Sequence, residues 1–162
     1  MRFQLSFNLK SCVLSIDYRR SLLSFIKHCL SNANDGKYFP DFYGPAKEKA
    51  FCFSTIFDQP NYTSDHIEVT SPKMSMVFST PDTRTGFILY SAFAAQKGKS
   101  YPLPLENRMT LTRITQLKED VVRGNKLLVK MSEPLCPRPL LCPWRAARRR
   151  TSPHRPAPQG LP

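Results

Sequence analysis

Side chains between positions 28 and 49 include types that move protons or stabilise developing negative charge, among them His28, Tyr43 and Lys49. An imidazole with an ordinary pKa near 6.5 can give or take a proton at neutral pH. The phenol of Tyr43, next to Gly44-Pro45, could orient a phosphate or stack on a base. The ammonium of Lys49 could stabilise charge building on phosphorus. Each residue also has a plain structural alternative. His28 reads equally as a surface histidine on a polar helix face, Tyr43 as an aromatic packing its loop onto a sheet, and Lys49 as a solvated lysine at a strand start. Tyr38 competes with Tyr43. Arg19, Arg20, Lys27 and Lys47 are candidate RNA backbone contacts, which position a nucleic acid without reading its sequence. Their alternative is a solvated charged surface.

No metal centre or cofactor is expected. The five cysteines, Cys12, Cys29, Cys52, Cys136 and Cys142, form no CxxC pair. No Cys/His set has zinc spacing, and the acids are dispersed. An odd, scattered cysteine count suits reduced thiols in a cytoplasmic protein. No apolar run is long enough for a membrane span, and no signal peptide is visible.

The elements that must position these residues follow from periodicity. RFQLSFNL alternates strictly over residues 2–9 and predicts a half-buried strand with Phe3, Leu5, Phe7 and Leu9 inward. Asp17 is the expected N-cap of a helix reaching about Asn32, with Leu22, Phe25, Ile26, Cys29 and Leu30 as its buried stripe. Asn34-Asp35-Gly36 ends it, and 37–48 reads as a loop. AFCFSTIF (50–57) is a second strand, and 58–65 a polar turn. Strands follow at about 66–70 and 74–79. Pro81-Asp82 opens a helix to about residue 96, stopped by Gly98. After the extended connector 101–104, residues 108–118 and 126–131 read as strands. The order predicts an α+β, ferredoxin-like βαββαβ unit: an antiparallel sheet with two helices on one face and the other face open.

Composition changes near residue 134. Residues 134–162 contain no Lys, Asp or Glu, but hold eight of the fifteen prolines and six arginines. The formal net charge is +12, and the tail supplies half of it. We expect a folded domain over 1–133 and a disordered basic, Pro-rich tail over 134–162. Charge of this sign favours a polyanionic partner.

Taken together, several stretches resemble the CRISPR-associated repeat-RNA-processing endoribonucleases of the RAMP superfamily. They are MRFQLSF, DYRRSLLSFIKHCLS, Tyr43-Gly44-Pro45, AFCFSTIF, MVFSTPDTRTGFILYSAF and YPLPLENRMTLTRITQLKE, with Ser132, Pro134, Leu135 and Cys136 near the end. The resemblance covers residues 1 to about 138. It implies metal-independent cleavage of CRISPR repeat RNA, in which the 2′-OH attacks phosphorus and leaves a 2′,3′-cyclic phosphate. On the family's Tyr/His/Lys pattern it places His28, Tyr43 and Lys49, with His and Tyr in swapped order. Family members carry a second such domain with a glycine-rich loop, which this chain lacks; we therefore expect a truncated, impaired nuclease. The partners implied are pre-crRNA, an effector complex and, through an exposed inter-domain face, a second copy of the chain. The alternative function is a non-catalytic RNA-binding module.

Overall fold

The computed structural model describes residues 1–44, 49–119, 124–126 and 129. The strand expected over 126–131 and the tail fall almost wholly outside these residues. So does the boundary between the two expected segments.

Strand β1 (Arg2–Leu9) is central. Its inward side chains Phe3, Leu5 and Phe7 are at most 1 % exposed, as the alternation predicts. After a bend come β2 (Val13–Ser15) and helix α1 (Tyr18–Asn32), whose buried residues are the five expected. Asp17 precedes the helix but makes no side-chain cap; its own amide instead donates to Ser15 Oγ. Asn34, Asp35 and Gly36 form one 3-10 turn with φ of 50°, 54° and 73°, which suits their short polar or absent side chains. Residues expected as loop contain a short helix, α2 (Phe39–Tyr43), begun by a proline in its first turn.

Strand β3 (Cys52–Phe57), short strands β4 (Asn61–Tyr62) and β5 (His66–Glu68), and β6 (Lys73–Ser79) follow. Helix α3 (Thr83–Gln96) begins where expected. The carboxylate of Asp82 accepts from the Arg84 and Thr85 amides. The chain ends its described fold with β7 (Ser100–Pro102) and β8 (Arg108–Gln116).

The main sheet has the order β3-β6-β1-β8-β7 and is antiparallel at every pairing. Without the edge strand β7, this is the ferredoxin-like order. α1 and α3 cover one face, where Phe3, Phe7, Phe25, Phe78 and Phe93 pack ring to ring. β2, β5 and β4 form a second small sheet. Of its strands only β5 was expected, as the strand at about 66–70; β2 and β4, of three and two residues, carry too little periodicity to register.

A β-bulge in β8 decides which residues face outward. Ser6 stands opposite Arg113, and Phe7 opposite Leu111, so Thr112 is the extra residue. The bulge lets Leu111 and Ile114 both face the core at a spacing of three, and turns Arg113 to the open side. At the start of β8, the buried Asn107 side chain ties β8 to the bend after β1. Its Oδ1 accepts from the Ser11 and Arg108 amides, and its Nδ2 donates to the Ser11 and Val13 carbonyls.

Asn107→Leu leaves buried amide and carbonyl groups unpaired and should cost about 3 kcal/mol in urea denaturation. The Asp82 carboxyl is held below its ordinary pKa, first by hydrogen bonding to Thr85. A depressed folded-state value gives stability above the unfolded value of about 3.9 and loses it as pH falls through the folded one. The melting temperatures of wild type and Asp82→Ala should therefore differ at pH 6 and converge in scans below about pH 4.

Candidate nucleic-acid interface

The open face of the main sheet is built by alternation. Arg2, Gln4, Ser6 and Asn8 of β1 point away from the helices. Opposite them in register stand Ser79, Val77, Ser75 and Lys73 of β6. Cys52, Ser54 and Ile56 of β3 lie beyond β6, and Thr110, Arg113 and Thr115 of β8 flank the other side. Arg108 shares the face of Thr110. None of these side chains is buried. Four are cations, and no strand of this sheet contains an Asp or Glu. The surface is therefore positive and rich in hydroxyls, with Gln4 Nε2 bonded to Ser75 Oγ across it. A shallow cleft of about 290 Å³ opens at one end, against Ile56, Asp58, Lys73 and Ser75. Such a face can hold phosphates by its cations and ribose or base edges by its hydroxyls.

The sequence reading did not single out Arg2, Lys73, Arg108 or Arg113. The signal was present for Arg2 in the alternation of β1. For Arg113 it was not, because its outward direction depends on the bulge.

On the helical side, Lys27 and Lys49 each approach Tyr43. α2 packs on α1, and its last residue, Tyr43, is half-buried. Phe39 stacks on the Tyr43 ring at 5.2 Å, and the adjacent Phe42 is buried in the core. The chain then turns at Gly44, whose amide donates to the Pro40 carbonyl. A Cβ at Gly44 would lie 2.6 Å from that oxygen, so this exit from the helix excludes larger residues. Phe51 stacks on Phe78 at 4.9 Å and fixes the chain just after Lys49. The ammonium of Lys27 lies 5.1 Å from the Tyr43 ring centroid and that of Lys49 lies 4.9 Å from it.

The Tyr43 hydroxyl is buried and has no hydrogen-bond partner among the described residues. Burial raises its pKa above the ordinary phenol value.

His28 does not join this group. Neighbours on a helix point about a quarter-turn apart, and His28 faces β7 rather than α2. Its ring lies 5.2 Å from that of Tyr101. The Tyr101 hydroxyl donates to Ser24 Oγ, and the Asn32 amide lies 3.1 Å from His28 Nδ1. Arg19 and Arg20 are exposed at the start of α1, about two turns from Lys27. Lys47 lies outside the described residues.

A cleft of about 270 Å³ adjoins Lys49, with Arg84, Asp41 and Asp82 in its walls. Two carboxylates there face two cations, and Arg84 pairs with Asp41 at 3.8 Å, so it offers no excess charge. Among the described residues, no His/Cys/Asp/Glu group is placed to hold a metal ion. No helix among the described residues is long and apolar enough to cross a membrane. Cys29 is buried, which pushes its thiol up to about 12 and leaves it unreactive.

A buried hydroxyl without a partner costs stability. Tyr43→Phe should therefore fold as well as wild type or gain about 1 kcal/mol in chemical denaturation, whereas a hidden hydrogen bond would show as a loss.

No family model matches the sequence, and no curated protein matches it. Solved structures do match the fold. A protein described as the product of a Cas6-related gene from Pyrococcus furiosus superposes with a TM-score of 0.63 at 13 % identity, over 76 % of this chain and 50 % of that one. A RAMP protein described as binding different RNA substrates gives 0.63 at 15 % identity over the same shares. A CRISPR-associated protein Cas6 gives 0.55 at 17 % identity, over 74 % of this chain and 49 % of its own. The chain spans about half the length of the structures it matches. Its described body has the fold of the Cas6 and RAMP proteins.

Proposed function

We propose that this chain is an RNA-binding domain of the RAMP type, with CRISPR repeat RNA as its ligand. The observation that carries the reading is the open sheet face. It sets Arg2, Lys73, Arg108 and Arg113 among hydroxyl side chains on a sheet whose described strands carry no carboxylate. A single strand lying there would be held through phosphate and ribose contacts. The fold likeness to a protein described as binding different RNA substrates supports the same reading.

Metal-independent cleavage to a 2′,3′-cyclic phosphate is a second reading, and the nearness of Lys49 to Tyr43 favours it. In-line attack by a 2′-OH needs a proton acceptor beside that hydroxyl and a cation at the phosphorane. Lys49 fits the cation. His28 is the remaining candidate base, but it shares no contact with Tyr43 or Lys49 among the described residues. Binding is therefore the better-supported role. Transfer of the product to an effector complex and pairing with a second copy of the chain remain parts of the proposal that rest on the family resemblance.

The test uses fluorescently labelled single-stranded repeat RNA. Wild type should bind with a strong salt dependence. Lys73→Gln and Arg113→Gln should each lower the slope of log K against log[salt] by about 0.7, the share of one single-strand phosphate contact. Unchanged slopes in both would remove the open face from the role. The same RNA incubated in EDTA reports cleavage, and a cyclic-phosphate end lost in Lys49→Ala would establish the nuclease reading.

A further inference from the structure

We infer that the outer edge of β3 pairs with β3 of a second copy of this chain, antiparallel about a twofold axis at Ser54, joining two five-stranded sheets into one. The inference locates the second-copy contact named in the proposed function. It concerns self-association and stands without RNA.

The two edges of the sheet are built differently. β7 is three residues long, follows Lys99 and contains Pro102, which has no amide hydrogen to offer. Shortness, lysine and proline all protect an edge from further pairing. β3 has none of these devices. Its six residues, CFSTIF, include no charge, proline or glycine, and no strand lies beyond it among the described residues. None of the six is buried, although Phe53 and Phe57 share the inward side with Phe78 and Met74. On the open side Cys52 is exposed and Ile56 keeps 49 % of its surface.

The ladder between β1 and β6 shows which backbone groups this edge offers. At its two ends the Thr80 amide donates to the Met1 carbonyl and the Leu9 amide to the Pro72 carbonyl. Hydrogen-bonded pairs alternate along an antiparallel ladder. Phe78, Met76 and Met74 therefore bond to β1, and Ser79, Val77 and Ser75 turn to Cys52, Ser54 and Ile56 of β3. The amides and carbonyls of Phe53 and Phe57 point out of the sheet.

A second copy suits this edge because the edge is complementary to itself. Lys49 precedes the strand and Asp58 follows it, both exposed. Antiparallel pairing brings the Asp58 end of one copy to the Lys49 end of the other, at both ends of the contact. The strand between them is neutral, so the net charge of +12 is kept away from the contact. With Ser54 opposite its own counterpart, Cys52 of one copy stands opposite Ile56 of the other, and the exposed isoleucine gains a cross-strand neighbour. The contact is short beside the roughly 20–30 residues a side of a standard interface, so association is weak and concentration-dependent. An axis normal to the sheet keeps both open faces on one side, with the two β6 strands about 14 Å apart. That the joined face holds a longer RNA is the one consequence that rests on the RNA-binding reading.

The experiment is sedimentation of the full-length protein, without RNA, from low to high micromolar concentration. Wild type should pass from monomer to dimer. Ser54→Lys sets like charges opposite each other on the axis and should weaken association about tenfold or more, with the melt of dilute protein unchanged. The double variant Cys52→Ser/Ser54→Cys, oxidised at the same concentrations, should form a disulfide-linked dimer that Cys52→Ser alone does not. Residues directly opposite in a non-hydrogen-bonded pair have Cα atoms about 4.5 Å apart, within reach of a disulfide. A wild type that stays monomeric, a dimer that Ser54→Lys leaves intact, or equal cross-linking in the two cysteine variants would overturn the pairing. So would slow hydrogen exchange at the Phe53 amide in monomeric protein, which would put another segment of the chain on the edge. None of these outcomes touches the RNA reading, which Lys73→Gln and Arg113→Gln test by themselves.

Discussion

The alternation of β1 is the constraint on which the molecule depends. Because β1 pairs with β6 on one side and β8 on the other, its side chains set the polarity of the whole sheet. Phe3 stacks on Phe78 at 5.2 Å and meets Phe93 and Tyr90 edge-on, so one inward ring joins the neighbouring strand to α3. Phe7 does the same for α1 through Phe25. Burying a side chain of this size contributes about 1.5–3 kcal/mol. A slip of one residue would send all of them to solvent and bring Arg2, Gln4, Ser6 and Asn8 inward. The same register that builds the core therefore also builds the polar face.

That face gains its charge from a local irregularity. A regular β8 would carry Leu111 and Arg113 on the same side. The single extra residue, Thr112, separates them, and its hydroxyl is tied to the Ser6 carbonyl at the bulge. An arginine that would have met the aromatic core is turned to the outside beside Ser6. Packing and charge placement are thus one event: the bulge that lets Ile114 pack is the bulge that exposes Arg113.

The helical side follows a different logic. There the Tyr43 group depends on the route between α2 and β3. Gly44 permits the tight exit, and Phe42 and Phe51 anchor the segments on either side, their rings 6.2 Å apart. Lys27 enters from α1 by its position on the exposed face. His28, one residue on, belongs to the Tyr101 and Ser24 neighbourhood because a helix separates adjacent side chains by about 100°. Three residues that appear as a set along the sequence are therefore divided by helix geometry into two places.

Elements with long periods can be read from the residues alone. β1 and α1 were legible because eight and fifteen residues of alternation or helical spacing leave one arrangement that buries the apolar side, α3 was legible from its Pro81-Asp82 start and Gly98 stop, and the order of elements yields the ferredoxin-like sheet. The rest comes from how the segments pack together. The strands β2, β4 and β7 exist through their pairing, β2 with the distant β5, and β4 and β7 each with the strand that follows it. The direction of Arg113 comes from a bulge set by its neighbour strand. The approach of Lys27 and of Lys49 to the Tyr43 ring, and the departure of His28 from it, arise where α2 docks on α1. Periodicity reports how a segment meets the core, but a site is made of outward side chains from different segments. Their meeting is fixed by how the segments pack, which no local pattern records.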